Sequence, residues 1–227
     1  LLQLVLDSPD ARGREVYAAQ LRAVTDSRWL SERLSALVTQ FEKPKRIRHL
    51  IEVADRLMDD LYPIIVRGFQ HPDATVAAAV VGLLNRLGPE DQRQTLLSML
   101  ALPEATMQLR AVALVGEFEP HDVAPVLIEL LSKATTLDLR REICTSLGKL
   151  GDVRGVPALS RLVHTTRWTR LLRRDAEPEV RVAATWALGS IDSENARSAL
   201  RSLLDDRDIR VRQGATTVLA ASERLPR

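Results

Sequence analysis

Apolar residues along this chain recur at steps of four, four and three, the spacing of one face of an α-helix. From Val180 the stripe continues at Ala184, Leu188 and Ile191; from Leu139 it continues at Ile143, Leu147 and Leu150. Val76 opens a third copy through Val80, Leu84 and Leu87, and Val211 another through Ala215 and Leu219. Leu109 anchors a looser copy through Ala113 that drifts to Phe118. A second apolar set follows each anchor. Leu200, Leu203 and Leu204 lie 20, 23 and 24 residues after Val180, and Leu159, Leu162 and Val163 lie at the same offsets from Leu139. Leu96, Leu97 and Leu100 do the equivalent job after Val76, and Leu127, Leu130 and Leu131 after Leu109, at slightly different offsets. The breakers "LGPED", "FEPHD", "LGDVRG" and "IDSEN" separate the two sets. Gly88, Gly148 and Gly189 stand near the end of the first helix, where a residue without Cβ caps it or packs closely. Each unit therefore reads as a helix, a short turn and a helix.

Anchors at 76, 109, 139, 180 and 211 are 33, 30, 41 and 31 residues apart. Paired helices at a period near 30, none able to bury its apolar face alone, predict an all-α fold: an α-α superhelix of about six to seven helix pairs. Residues 73–163 and 176–222 carry the clear repeats. Residues 1–70 read as two degenerate pairs, the second with Pro63 at a helix start, where proline is tolerated. No Gly/Ser/Pro-rich linker interrupts the pattern, so residues 1–227 are expected to form one solenoid. The opening "LLQLVLDSPD" has neither the basic segment nor the cleavage site of a signal peptide. It reads as the tail of a cut amphipathic helix, and the chain as a fragment of a longer protein.

Composition narrows this picture. Among 227 residues 45% are hydrophobic and only 4% aromatic, so the core is built from Leu, Val, Ile and Ala. A net charge of +2 gives no global field for a polyanion. One cysteine, Cys144, excludes an internal disulfide and fits a reducing, cytoplasmic setting. No apolar run reaches the roughly 18–20 residues of a membrane helix.

The wording of the units, an acidic residue followed by "VR", "AA", "ALG" and "I", resembles the HEAT-like repeat family. The nearest subtype is the short one of phycobilin lyase-type repeats. "DAEPEVRVAATWALGSI" (175–191) and "DRDIRVRQGATTVL" (206–219) carry the resemblance best. It implies an α-solenoid that serves as a non-enzymatic protein–protein interaction scaffold far more often than as an enzyme. Nucleic-acid binding of the DNA-glycosylase kind, or a chromophore-lyase-like subunit, are the alternatives it leaves open.

Chemistry-bearing residues are sparse. There is no phosphate-cradling glycine loop, no His-Glu-x-x-His and no nucleophile elbow, so no catalytic residue, cofactor or metal is expected. His49, His71, His121 and His164 are scattered over four repeats. Cys144 shares its repeat position with Val81, Leu114, Thr185 and Thr216 and reads as a packed, inert thiol. The arginine after each anchor recurs as Arg110, Arg140, Arg181 and Arg212. These are expected to pair structurally with carboxylates or helix-end carbonyls of a neighbouring repeat, such as Asp175, Asp205 or Asp206. The long 41-residue spacing arises from an insertion, "HTTRWTRLLRRD" (164–175). From Arg161 to Arg174 stand five arginines, Arg161, Arg167, Arg170, Arg173 and Arg174, with no acid among them, and Trp168 sits between them. Trp186, six residues past its anchor, points away from the apolar stripe where Gly82, Val115, Thr145 and Thr217 stand elsewhere. Together these residues form the candidate partner-binding patch, suited to an acidic protein segment or a phosphate-bearing ligand.

Overall fold

The computed structural model describes residues 11–40, 44–58, 60–164 and 177–224. Those residues hold thirteen α-helices and no strand. They fall into two compact units, 1–95 and 96–227.

The first unit contains α1 (Ala11–Val24), α2 (Ser27–Gln40), α3 (Pro44–Leu57), α4 (Tyr62–Gln70), α5 (Ala74–Leu84) and the start of α6 (Pro89–Leu100). Within it α3 packs on α1, α2 and α5, while α4 packs on α2 and α5. The core is aliphatic: Leu30 and Leu34 of α2, Ile47 and Leu50 of α3, Ile64 and Ile65 of α4, and Val76 and Val80 of α5 are all buried. Pro63 opens α4 as expected, since its missing N–H falls where a helix has no partner for one. Asp73 caps α5 by accepting from the Thr75 N–H at 2.7 Å. Those hydrogen bonds to Thr75 hold the Asp73 carboxyl below its ordinary range.

Gly82 lies in the interior of α5, exposed, with nothing within 4 Å of where a Cβ would sit. Gly82→Ala is therefore expected to stabilise the protein by about 0.5–1 kcal/mol through helix propensity alone. A raised midpoint of urea unfolding with an unchanged slope checks it.

The second unit continues through α7 (Ala105–Phe118), α8 (Ala124–Lys133), α9 (Leu137–Leu150), a 3-10 turn (Val153–Gly155), α10 (Val156–Val163), α11 (Pro178–Ser190), α12 (Glu194–Arg201) and α13 (Ile209–Arg224). First helices stack on first helices: α9 packs on α7 and α11, and α11 on α13. Second helices form the other layer, with α10 against α12. Thr136 and Ser193 cap α9 and α12, and Glu119 and Gly151 take left-handed φ values of 47° and 64° to end α7 and α9.

One repeat sits two residues away from its expected register. In α7 the buried stripe is Met107, Ala111 and Val115, whereas Leu109 and Ala113 are only half-buried. The anchors become 76, 107, 139, 180 and 211, spaced 31, 32, 41 and 31. Leu127, Leu130 and Leu131 then lie 20, 23 and 24 residues after Met107, the offsets of the repeats that follow.

The same shift explains the glycines. Nine residues after each anchor stand Gly116, Gly148 and Gly189, and each faces the residue seven past the next anchor: Ser146, Ala187 and Val218. A Cβ on Gly148 would lie 2.7 Å from the Ala187 Cα, so these glycines set how closely the first helices approach. Gly88 does not share the role, being exposed in the turn before α6. Of the apolar set Leu200, Leu203 and Leu204, the first two are buried, whereas Leu204 is 41% exposed because α12 ends at Arg201 and the helical period stops there.

Candidate functional site

The position after the anchor is a joint between repeats. Arg181 of α11 is 2% exposed and donates through Nη2 to the Val163 carbonyl at 3.0 Å and to the Asp206 carboxylate at 2.5 Å. Asp206, in the loop before α13, accepts the Asp208 N–H at 2.9 Å on its other oxygen. Arg212 then donates to the carbonyls of Asp206 and Arg207. Arg140 reaches Glu177, just ahead of α11, in a more exposed pair. Arg110 is displaced from this series by the register of α7. Its Nη1 is buried without a hydrogen-bond partner among the described residues. Gln108 occupies the joint and donates to the Leu100 and Leu102 carbonyls, a neutral amide doing there what a guanidinium does elsewhere.

Further ion pairs tie repeats together at the surface. Arg154 bridges Asp152 of its own turn and Asp122 of the preceding one. Arg210 bridges Asp208 and Glu179. The arginine hydrogen bonds hold the Asp152 and Asp208 carboxyls below their ordinary range. These pairs are solvent-screened and contribute little each.

Trp186 projects from α11 and is 48% exposed. Its indole lies against α13: a Cβ on Gly214 would meet Nε1 at 3.6 Å and Cε2 at 3.7 Å. It therefore edges the seam with the following first helix. Val182 and Ala183, one turn earlier on α11, are half-buried, and Thr217 of α13 is exposed. With the corrected register the equivalent residue of α7 is Ala113, smaller than the Val115 first aligned there. Arg161 is exposed on α10, in the second-helix layer. Arg167, Trp168, Arg170, Arg173 and Arg174 lie outside the described residues.

Cys144 is wholly buried in α9, and burial pushes its thiol up to about 12. Its counterpart in α7 is Val112 rather than Leu114 once the register is set by Met107. A thiol that stays protonated and inaccessible is not a nucleophile. Cys144 is expected to resist a thiol reagent at neutral pH in the native protein and to react fully once unfolded. Rapid labelling of the folded chain would contradict this. Among the described residues no group of three or more His, Cys, Asp or Glu is placed to hold a metal ion. No described helix is long and apolar enough to cross a membrane.

The chain is similar in structure to human deoxyhypusine hydroxylase in complex with glycerol, at 17% identity and a TM-score of 0.48, covering 98% of this chain and 94% of that one. It is also similar to an engineered protein (20% identity, TM-score 0.46, 97% and 95% covered). A designed armadillo repeat protein matches at 19% identity and a TM-score of 0.42, with 96% and 98% covered. No curated protein matches the sequence. The family model for HEAT repeats matches residues 99–171 and 165–227, together more than half of the chain. Residues 99–227 are the segment in which α7, α9, α11 and α13 stack through Gly116, Gly148 and Gly189, and the chain belongs to the HEAT-repeat family.

Proposed function

We propose that the chain is a non-enzymatic scaffold that binds a protein partner on the exposed side of α11, around Trp186. The observation that carries this reading is the exposure of Trp186 on α11. A large aromatic, 48% exposed, stands where the neighbouring repeats carry threonine. The intra-repeat core does not use it, since Val180, Ala184 and Leu188 already fill that stripe. Aromatic and arginine side chains are the residues most enriched where interfaces concentrate their binding energy. The basic insertion 164–175 adds charge suited to an acidic segment of that partner, with Arg161 at its edge. The location we propose is cytoplasmic.

The experiment is affinity capture on the wild-type chain, on Trp186→Ala, and on the triple variant Arg170→Ala/Arg173→Ala/Arg174→Ala, with melting temperatures measured in parallel. Under this reading a specific protein is retained by wild type and weakened by about tenfold or more in Trp186→Ala, with the melting temperature little changed. Equal capture by all three chains refutes the patch. Retention of a DNA duplex instead, with an affinity that falls steeply with salt, assigns the surface to nucleic acid.

A further inference from the structure

We propose that the side of α11 and α13 around Trp186 is a self-association surface, taken by a second copy of this chain. This rests on the reading of Trp186 as an interface residue and names its occupant. Residues four apart lie on one side of a helix. On α11 the side that carries Trp186 also carries Val182 and Ser190, and the matching side of α13 carries Gln213, Thr217 and Ala221. All but the half-buried Val182 are exposed. The two sides adjoin, because α11 packs on α13 and the Trp186 indole lies against Gly214. No residue from 182 to 190 of α11 or from 213 to 222 of α13 is charged, in a chain of which 27% is charged. Glu179 and Arg210, at the N-terminal end of this surface, are paired with each other. The preceding first helices differ. In the same positions α7 carries Glu117 and α9 carries Arg141 and Lys149, all exposed.

Charge decides the occupant. A partner of different sequence is steered and oriented by complementary charges, and a surface built for one normally keeps some of them. A second copy sets the opposite requirement. In a two-fold contact the same patch stands on both sides, so a net charge of either sign on it opposes itself. A neutral surface with an aromatic at its middle has no such repulsion to overcome. The centres of interfaces are depleted in charge and enriched in aromatics, and homodimer interfaces are the more apolar class. The patch is two helices wide, fewer residues than the roughly 20–30 a side of a standard interface, so the pairing is weak and reversible.

Sedimentation equilibrium of the full chain tests this. The mass is expected to rise from 25.3 kDa towards twice that value as the concentration goes from about 1 µM to about 1 mM, the range of weak contacts. Because no charge takes part, the association should be no weaker at roughly 0.5 M salt than at roughly 0.05 M. Trp186→Asp and Thr217→Glu each bring a carboxylate onto both sides of the contact. Each is expected to weaken it about tenfold or more, with the melting temperature little changed. Ala113→Glu places the same charge at the equivalent position of α7 and leaves the association as it is. A chain that stays monomeric at about 1 mM overturns the second copy as occupant, while retention of a different protein through Trp186 keeps its own test. Association that fades with salt, survives Trp186→Asp and Thr217→Glu, or is lost equally in Ala113→Glu overturns it as well. The contact then runs through charges or through another surface.

Discussion

Arg181→Met, with Asp206 left in place, is expected to lower the free energy of unfolding by about 3–5 kcal/mol. Methionine is close to arginine in apolar reach, so little packing is lost. The cost comes from Asp206, whose carboxylate keeps the Asp208 N–H but loses its cation in a site from which water is largely excluded. The Val163 carbonyl loses its donor as well. Arg140→Met is the comparison. Its partner Glu177 has a side chain 47% exposed, so water takes over when the guanidinium goes, and the loss should stay below about 1 kcal/mol. Urea unfolding of the two variants, at a common slope, measures the difference. Similar small losses for both would show that solvent reaches the Arg181 pair.

Gly148→Ala is the second large effect, and its sign is decided by two opposed terms. Replacing a helical glycine by alanine is worth about 1 kcal/mol in propensity. Against this, the new methyl lies 2.7 Å from the Cα and 3.0 Å from the Cβ of Ala187. Those atoms belong to the backbone and first carbon of α11, so no rotamer change relieves the overlap; α9 and α11 must move apart. Overpacking of this kind costs about 1–3 kcal/mol, and separating the two helices loosens contacts along both. A net destabilisation of about 1–2 kcal/mol is expected, opposite in sign to Gly82→Ala, though both are the same chemical change in a helix interior. Thermal unfolding of the two variants side by side tests the pair. A stabilised Gly148→Ala would mean that the helices are spaced more widely than described.

The difference between these glycines was not legible from composition or helix position. Gly88, Gly148 and Gly189 looked alike as breakers near helix ends, yet Gly88 is in a turn and Gly116, inside an apolar run, is the true equivalent. The error had a local cause. Met107 and Leu109 are both apolar and residues 111–115 are continuously so, and a helical period can therefore be laid on this stretch in more than one register. The second helix held the missing signal. Leu127, Leu130 and Leu131 keep the offsets of the other repeats only if Met107 is the anchor. The same correction takes Arg110 out of the joint series and puts Gln108 into it, which a search for arginine alone does not find.

Helix identity was determined by the sequence itself, because it rests on residues three to eight apart on one chain segment, and the pairing of helices and the period follow from the recurrence of that local pattern along the chain. The apolar face of a helix is written within its own turns, and a turn residue acts on its immediate neighbours. That Gly148 meets Ala187, that Trp186 leans on Gly214, and that Arg181 is buried on Asp206 while Arg140 stays near water were decided only by the tertiary structure. These contacts join residues far apart along the chain, and their outcome depends on how closely two helices approach and how much water remains between them. Neither quantity is a property of any single helix, so neither is written in the spacing of its residues.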